Sequence, residues 1–288
     1  MSLRRAEERN NPSNPRGGSS ACVECASRQV TIVQGESWAR AIPCQACSKS
    51  CDTCDATGFV FHRNATGSMD SMLCPSCSPI RTRIELYNQA KIPRRYASAQ
   101  LRDFQYKHDA VLTKVFTEFR GMLQTFKPGD PGIGLSGGVG NGKTMLMASF
   151  LRFMTLHREI PSRFIEFSHL LSDIRAGYDA GRSESETISH LVDIPILVID
   201  ELGKSMKTEW QVAILDELIS RRYNRGVSTF FTTNFPFTVP KLESRSLTRD
   251  DFKVTSLEER IGSRMYSRLH EMCKFYTFTA PDMRRTKL

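Results

Sequence analysis

The chain has 288 residues, enough for one full domain and a second, smaller one. Apolar residues make up 40% of it, a little less than in typical globular proteins, and no apolar run is long enough to cross a membrane. The formal net charge of +9 favours a polyanionic partner, although an evenly basic surface would give the same count. The composition therefore excludes a membrane-spanning protein.

Residues 1–20 predict a disordered tail, because Asn, Pro, Gly and Ser dominate them. The arginines near the start are not followed by an apolar segment, so they do not predict a secretory signal. We therefore expect a cytoplasmic protein in a reducing environment, where disulfide bonds are rare.

Eight of the nine cysteines form four C-x-x-C pairs. The pairs are Cys22/Cys25, Cys44/Cys47, Cys51/Cys54 and Cys74/Cys77. A C-x-x-C turn offers two thiolates to one metal, and a second turn about eighteen residues later completes a tetrahedral zinc site. A reducing compartment disfavours a disulfide framework, and iron–sulfur ligation remains an alternative. The fourfold C-x-x-C pairing favours two structural zinc ions.

Two pairings of these turns are open. Sequential pairing, first with second and third with fourth, makes two hairpins, from "RQVTIVQGESWARAI" and "GFVFHRNATGSMDSML". The stretch "CDTCDATGF" is similar to the zinc knuckles of DnaJ, in which the pairing is nested. We favour sequential pairing. The ninth cysteine, Cys273, follows a helical pattern at the start of an apolar strand, and we interpret it as a core residue.

Four segments are predicted along the chain: the tail at 1–20, a zinc-binding domain at 21–78, a linking helix at 79–91 and a larger domain at 92–288. In the larger domain strands alternate with helices, which indicates an α/β fold whose parallel sheet has helices on both faces. The zinc-binding domain is too small and polar to bury a core alone, so metal binding would supply its folding energy.

The stretch "GGVGNGKT" fits G-x-x-x-x-G-K-[ST] from Gly137 to Thr144. "GIGLS" before it indicates a strand and "KTMLMASFLRFM" after it a helix, which is the context that a phosphate-binding loop requires. Backbone N–H groups and the helix N-terminus would cradle ATP phosphates, Lys143 would reach them, and Thr144 would hold Mg²⁺. The predicted nucleotide-binding residues are Gly137, Gly138, Val139, Gly140, Asn141, Gly142, Lys143 and Thr144.

The apolar run "ILVIDE" predicts a buried strand that ends in two carboxylates. Ligands gather at the C-terminal ends of parallel strands, so Asp200 would hold Mg²⁺ and Glu201 would orient the attacking water. The next strand, "STFFTTN", ends at Asn234, which would hold the same water. We therefore predict that Asp200, Glu201 and Asn234 form the hydrolytic part of the site.

The segment "SLEERIGSRMYSRLHEM" predicts a helix capped by Ser256 and Glu259. On one continuous helix Arg260, Arg264 and Arg268 would lie on the same face, where a guanidinium can meet a phosphate across a subunit boundary.

Residues 90–288 resemble the DnaC/DnaI-type replicative helicase loaders and the related transposition helper IstB. The resemblance rests on "KIPRRYASAQLRDF", "GGVGNGKT", "ILVIDE", "TTN", "RMYSRL" and "PDMRR" in this order. It implies an AAA+ ATPase that self-associates with its active sites shared between neighbours. It also implies that Arg268 is the arginine finger, with Arg264 as the alternative, and that Arg284 contacts the nucleotide of its own subunit.

The resemblance further implies contact with single-stranded DNA just after the acidic strand, in "LGKSMKTEW". Lys204 and Lys207 would meet phosphates and Trp210 would stack on a base. A solvated loop with Trp210 packed under its helix is an equal alternative.

Two functions follow from the resemblance. A loader would bind single-stranded DNA and a DnaB-type helicase, whereas an IstB-like helper would bind duplex DNA and a transposase. The zinc-binding domain favours the loader, although its cysteine pattern differs from that of DnaI. The intact Lys143, Asp200 and Glu201 disfavour a third interpretation, a zinc module beside an inactive ATPase scaffold.

Overall fold

A computed structural model describes residues 22–25, 29–46, 51–55, 57–106, 109–179, 181–204, 206–238 and 255–283. The predicted tail therefore lies outside the described residues. Among the described residues no helix combines the length and the apolar character needed to cross a membrane.

The cysteine-rich part forms two antiparallel hairpins. Their strands are β1 (Val30–Gln34), β2 (Ala39–Pro43), β3 (Phe59–Arg63) and β4 (Met69–Leu73). The two hairpins share one local design, because Gln29 and Gly58 both hold left-handed backbone, at φ 62° and 85°. Each donates its N–H at 3.3 Å to the Sγ atom four residues earlier, that of Cys25 or Cys54.

The helix α1 (Ser78–Gln89) follows the second hairpin but packs on the first. Val30, Ala39 and Ala41 of the first hairpin lie in one apolar cluster with Tyr87 and with the main core. Two short 3₁₀ turns, Arg94–Tyr96 and Leu101–Asp103, then lead into the α/β part.

The α/β part consists of a five-stranded parallel sheet with helices on both faces, as predicted. Its elements in chain order are α2 (Ala110–Thr125), β5 (Gly132–Gly137), α3 (Lys143–His157), β6 (Ser162–Glu166), α4 (Phe167–Asp179), α5 (Glu184–Asp193), β7 (Ile196–Asp200), α6 (Glu209–Arg225), β8 (Ser228–Thr233), α7 (Leu257–Ile261), α8 (Ser263–Met272) and β9 (Cys273–Phe278). The strand order is β6-β7-β8-β5-β9. This order places the phosphate-binding loop after β5 and the acidic tip of β7 on either side of β8.

Aromatic side chains fill one face of the sheet: Phe119, Phe126, Phe150 and Phe230 form a contiguous group with ring centroids 4.9–6.5 Å apart. This face also carries the first hairpin and α1, whereas α4–α8 cover the opposite face. Cys273 is buried at the start of β9, where its thiol donates to the Thr229 carbonyl oxygen at 3.0 Å, as expected for a core residue.

The predicted arginine-bearing helix is broken, which corrects the sequence interpretation. Gly262 adopts φ 85° and ψ 149° between α7 and α8, a conformation that ends a helix and that residues with a Cβ rarely adopt. The predicted cap is present, because Ser256 and Glu259 form a reciprocal capping box. Arg260 therefore lies on α7, and only Arg264 and Arg268 share α8.

Candidate functional site

The loop between β5 and α3 positions a buried ammonium group. Lys143 is the first residue of α3 and is only 5% exposed. Its Nζ donates to the carbonyl oxygens of Gly137 and Gly138 at 2.7 Å and to Asn141 Oδ1 at 3.0 Å. The Nδ2 atom of Asn141 is buried and has no partner among the described residues. The loop thus holds a cation and an unused N–H donor side by side.

The N-terminus of α3 is suited to an anion. Its N-cap is Gly142, at φ 92°, so no side chain caps the first turn, and this turn contains no acidic residue. The first N–H groups of a helix lack partners within the helix, and they attract negative charge. A Cβ at position 142 would also approach the Phe104 ring to 2.8 Å, so both backbone and packing require glycine here.

Asp200 joins the loop to the adjoining strand. Thr144 Oγ1 donates to its two carboxylate oxygens at 3.0 and 3.3 Å, and Thr232 Oγ1 donates to Oδ1. Burial raises the pKa of Asp200 to about 6, although these hydrogen bonds lower it. A hydroxyl and a carboxylate this close together are the oxygen ligands that Mg²⁺ uses in nucleotide sites.

Glu201 lies one residue further, at the mouth of the site. Its backbone has φ 54°, an uncommon conformation for a residue with a side chain, and its N–H donates to Thr232 Oγ1 at 3.1 Å. The Glu201 carboxylate forms an ion pair with Lys204. The backbone therefore holds Glu201 at the strand tip, and the exposed Lys204 partly neutralises it.

These groups open into one cavity of about 450 Å³. The residues that line it come from the 3₁₀ turns, the phosphate-binding loop, the ends of β7 and β8, and the closing segment: Tyr96, Phe104, Gly140, Lys143, Glu201, Thr232, Asn234 and Met283 among them. The volume and the mixture of aromatic, cationic and acidic walls suit a nucleotide.

Sequence reasoning missed several of these wall residues. Tyr96 and Phe104 lie in "RRYASAQLRDF", whose residues carry no nucleotide-binding motif, and Thr232 has the pattern of an ordinary strand residue. The closing segment also contacts the loop, because Met283 donates its N–H to the Gly140 carbonyl oxygen at 3.2 Å.

The structure separates Arg260 from Arg264 and Arg268, and none of these three described arginines lines the cavity. Arg268 donates to Ser220 Oγ and, at 3.3 Å, to Asp216 Oδ1. Arg260 donates to the Gly203 carbonyl oxygen at 3.1 Å. Arg264 is exposed on α8. Arg284 lies outside the described residues.

Trp210 packs against other side chains of the same chain, which corresponds to the packed alternative rather than to a base-stacking platform. Its Nε1 donates to Glu184 Oε1 at 2.6 Å and to the Tyr178 hydroxyl at 3.2 Å. The Arg175 guanidinium lies over the ring, 4.9 Å from its centroid. Lys207 is exposed nearby. One face of the indole is therefore covered by a cation.

The cysteines gather in the sequential arrangement. The Sγ atoms of Cys51, Cys54, Cys74 and Cys77 lie within 4.8 Å of one another, as do those of Cys22, Cys25 and Cys44. Sulfur pairs lie 3.7, 3.8 and 3.9 Å apart, close to the distance of about 3.8 Å between ligands of a tetrahedral zinc with Zn–S bonds of about 2.3 Å. Cys47 lies outside the described residues.

The residues present fit both implied groups. A nucleotide triphosphate needs cationic and N–H donors with an oxygen site for Mg²⁺, and the loop, Thr144 and Asp200 supply them. Zinc needs thiolates in tetrahedral spacing, and the second cluster has four. The fold and these groups together define a nucleotide-binding protein of the AAA+ P-loop class.

Comparisons with known proteins narrow this class. The model of the family "IstB-like ATP binding protein" matches residues 78–257, more than half of the chain. The chain belongs to this family. The match begins at α1, just after the last cysteine pair.

Individual relatives are more distant. The replicative helicase loader DnaC of Buchnera aphidicola subsp. Baizongia pistaciae is 19% identical over 154 residues, which are 53% of this chain and 62% of that protein. The chain thus matches less than two thirds of that relative's length. A crystal structure of the DnaC helicase loader superposes with a TM-score of 0.54 at 25% identity, covering 65% of this chain and 99% of that one. A DnaI crystal structure shares the fold, with a TM-score of 0.50 at 20% identity, covering 66% of this chain and 93% of that one.

Proposed function

We propose that the chain is an ATP hydrolase that works as a helicase loader in DNA replication. The main support for ATP hydrolysis is the contact of Thr144 with Asp200. This contact joins the phosphate-binding loop to the acidic strand beside an open cavity. The proposed role as a helicase loader is supported by the family and by relatives that are named as helicase loaders.

Each residue has a distinct task in this proposal. Lys143 and the N-terminus of α3 bind the phosphates, and Thr144 and Asp200 hold Mg²⁺, which neutralises charge on the transferred phosphoryl group. Glu201 orients and polarises the attacking water, and Asn234 and Thr232 line the cavity beside it. Lys204 competes with water for the Glu201 carboxylate, so their ion pair must open during turnover.

The neighbouring subunit would complete the site with an arginine. Arg268 is held by Asp216 and Ser220 of its own subunit, whereas Arg264 is exposed and lies one turn earlier on α8. We therefore assign the trans-acting role to Arg264 ahead of Arg268. Arg284 keeps its proposed contact with the nucleotide of its own subunit.

The proposed partners are single-stranded DNA and a DnaB-type helicase in the cytoplasm. Lys204 and Lys207 are exposed beside the site and suit phosphates, but the packing of Trp210 leaves it a smaller role in base stacking than we expected. The two zinc ions would hold the hairpins, and the sequence-based boundaries of the zinc-binding domain at 21–78 and the ATPase domain at 92–288 remain part of this proposal.

One experiment tests the hydrolase and the loader together. Glu201→Gln keeps the shape of the side chain but removes its charge, so we expect ATP affinity to stay within about threefold and turnover to fall by about a hundredfold or more. Steady-state ATP turnover would be measured without DNA, with single-stranded DNA and with duplex DNA. The control is Glu36→Gln, an exposed change in the turn between β1 and β2.

Unchanged turnover in Glu201→Gln would refute the catalytic assignment. Stimulation of the unaltered protein by single strands supports the loader. Stimulation by duplex DNA alone would instead support an IstB-like transposition helper.

A further inference from the structure

The two hairpins are structural repeats, so the contacts of one can be compared position by position with those of the other. Cys22, Cys25 and Gln29 correspond to Cys51, Cys54 and Gly58, each 29 positions later. The turn of the second hairpin is one residue longer, so Cys44 corresponds to Cys74. Both Cys44 and Cys74 donate their N–H at 2.9 Å to the carbonyl oxygen of Gln29 or Gly58. Strand positions can therefore be paired across the repeats.

The first repeat uses one hairpin face and its edge to bind a helix. Val30 and Ala41 are buried, and Ile32 packs in the same cluster as Tyr87 of α1. The Asn88 side chain pairs with the edge of β2: its Oδ1 accepts from Ala41 N–H at 2.7 Å and its Nδ2 donates to the Ala41 carbonyl oxygen at 3.1 Å. An apolar stripe and one amide side chain thus recognise the hairpin.

The same face of the second repeat is exposed. We call it the outer hairpin face; its members are Phe59, Phe61, Arg63, Met69, Ser71 and Leu73, whose cross-strand pairing puts them on one side. Phe61, the counterpart of Ile32, is 65% exposed, and Met69, the counterpart of the buried Ala39, is 60% exposed. Within the described part of the chain, five of eight exposed large apolar side chains lie on this one hairpin. Such a concentration indicates an interaction surface.

We propose that the outer hairpin face binds an amphipathic helix of the replicative helicase, in the way that the first repeat binds α1. The proposal rests on the proposed function for the identity of the partner. The aromatic rings receive an apolar stripe, and the outward N–H and C=O of Ser71, the counterpart of Ala41, receive an Asn or Gln side chain.

Charge sharpens the choice of partner. Arg63 extends the apolar face at the end of the hairpin, where the first repeat has the neutral Gln34, and it is exposed. A carboxylate on the helix would complement it. One arginine among large apolar side chains suits an acidic protein helix better than a phosphate backbone, which requires several cations.

The test compares two exposed apolar residues on opposite faces of the same hairpin. Phe61→Ser removes an aromatic side chain from the outer hairpin face, and Met72→Ser removes an aliphatic side chain that is 50% exposed on the other face. The full-length variants would be assayed by biolayer interferometry against the purified replicative helicase of the same organism. We expect Kd to rise by about tenfold or more for Phe61→Ser and less than about twofold for Met72→Ser.

Three readings accompany the affinity: zinc content and ATP affinity, which both variants should keep, and mass in solution. Equal Kd values for both variants and the unaltered protein would overturn the proposal that the outer hairpin face binds the helicase. The proposed role as a helicase loader would be unaffected. Failure of the unaltered protein to bind the helicase, with ATP turnover intact, would overturn the helicase as partner and the loader with it. A lower mass of Phe61→Ser would show that a second copy of the chain covers the face, and would also overturn the proposal.

Discussion

Asp200 is an acidic side chain in a buried position, where a neutral side chain would have a lower free energy. Because burial raises its pKa from 3.8 to about 6, the folded chain holds the proton more tightly than the unfolded chain does. The stability that this proton contributes is therefore fully present below about pH 3.8, falls as the pH rises toward about 6, and is absent above that value, where the buried charge remains. The nucleotide site would use this charge, since Mg²⁺ binds the ionised form.

We therefore expect Asp200→Asn to separate stability from function. Near pH 7.5 the variant should gain roughly 1–3 kcal/mol in the free energy of unfolding, because it no longer buries a charge, and it should lose Mg²⁺-dependent ATP binding. The gain should shrink as the pH falls from about 6 toward 3.8, so the second measurement is made near pH 5. Urea unfolding at both pH values measures the gain, and a variant less stable than the unaltered protein near pH 7.5 would contradict the argument.

At this scale the sequence predicted residues whose role is set by local geometry. The loop glycines, Lys143 and Thr144 follow each other along the chain, and Asp200 marks the end of an apolar run. Thr232 could not be recognised, because its value depends on the neighbouring strand placing it against Asp200. The engagement of Arg268 was equally invisible, since Asp216 lies 52 residues away on another helix.

At the scale of elements, a buried arginine joins a helix end to the sheet. Arg222 of α6 is fully buried and donates to the carbonyl oxygens of Leu191, Ile194 and Ser228 and to Thr229 Oγ1. Burial lowers its pKa to about 9, so the guanidinium remains charged at neutral pH. It thereby satisfies carbonyl groups at the C-terminus of α5, the negative end of the helix dipole.

Replacing this arginine should cost much more than replacing its neighbour. We expect Arg222→Met to lower the free energy of unfolding by about 3 kcal/mol, because several buried carbonyls lose their donor. The control is Arg221→Met, whose guanidinium pairs with Glu217 at the surface and should contribute less than about 1 kcal/mol. Equal effects of the two changes in urea unfolding would show that the buried contacts do not stabilise the fold.

Elements were predictable where periodicity is strong. Alternating apolar runs and amphipathic stretches predicted the strands of the sheet and most of its helices. The order of the strands is not contained in local patterns, because it depends on which crossovers pack. Gly262 shows the other limit: the apolar pattern of Ile261, Met265 and Leu269 continues across it, while the backbone does not.

At the scale of the whole molecule, the two repeats differ in their dependence on the ATPase core. The first shares an apolar cluster with α1, α2 and α3, and Ala39 donates its N–H to the Ile92 carbonyl oxygen at 2.8 Å. The side chains of the second hairpin are mostly exposed. Loss of metal should therefore affect the core through one repeat only.

Matched cysteine changes test this difference. Cys44 and Cys74 are both 0% exposed and occupy equivalent positions, so serine at either should remove about one zinc per chain. We expect Cys44→Ser to lower the temperature at which a fluorescent ATP analogue is released by several degrees, and Cys74→Ser to leave it within about two degrees. Equal shifts in the two variants would show that both repeats support the core.

The sequence predicted the existence of two cysteine hairpins but not their unequal packing. The spacing of thiols fixes each hairpin locally, whereas Ala39 and Ala41 have no local signature of a helix that lies across them. For the same reason, the proposed boundary at 78 divides the sequence into segments but does not divide the apolar core, which crosses it.

The stretch from Ala90 to Ile92 connects the first hairpin to the outer strand β6, because the Ala90 carbonyl oxygen accepts from Phe164 N–H at 2.8 Å. This connection constrains how the chain can evolve. Recombination could replace the second repeat with a foreign module without disturbing the ATPase core, but the first repeat and α1 must be inherited together with that core. Proteins descended from this architecture should therefore vary in the second hairpin and retain the first.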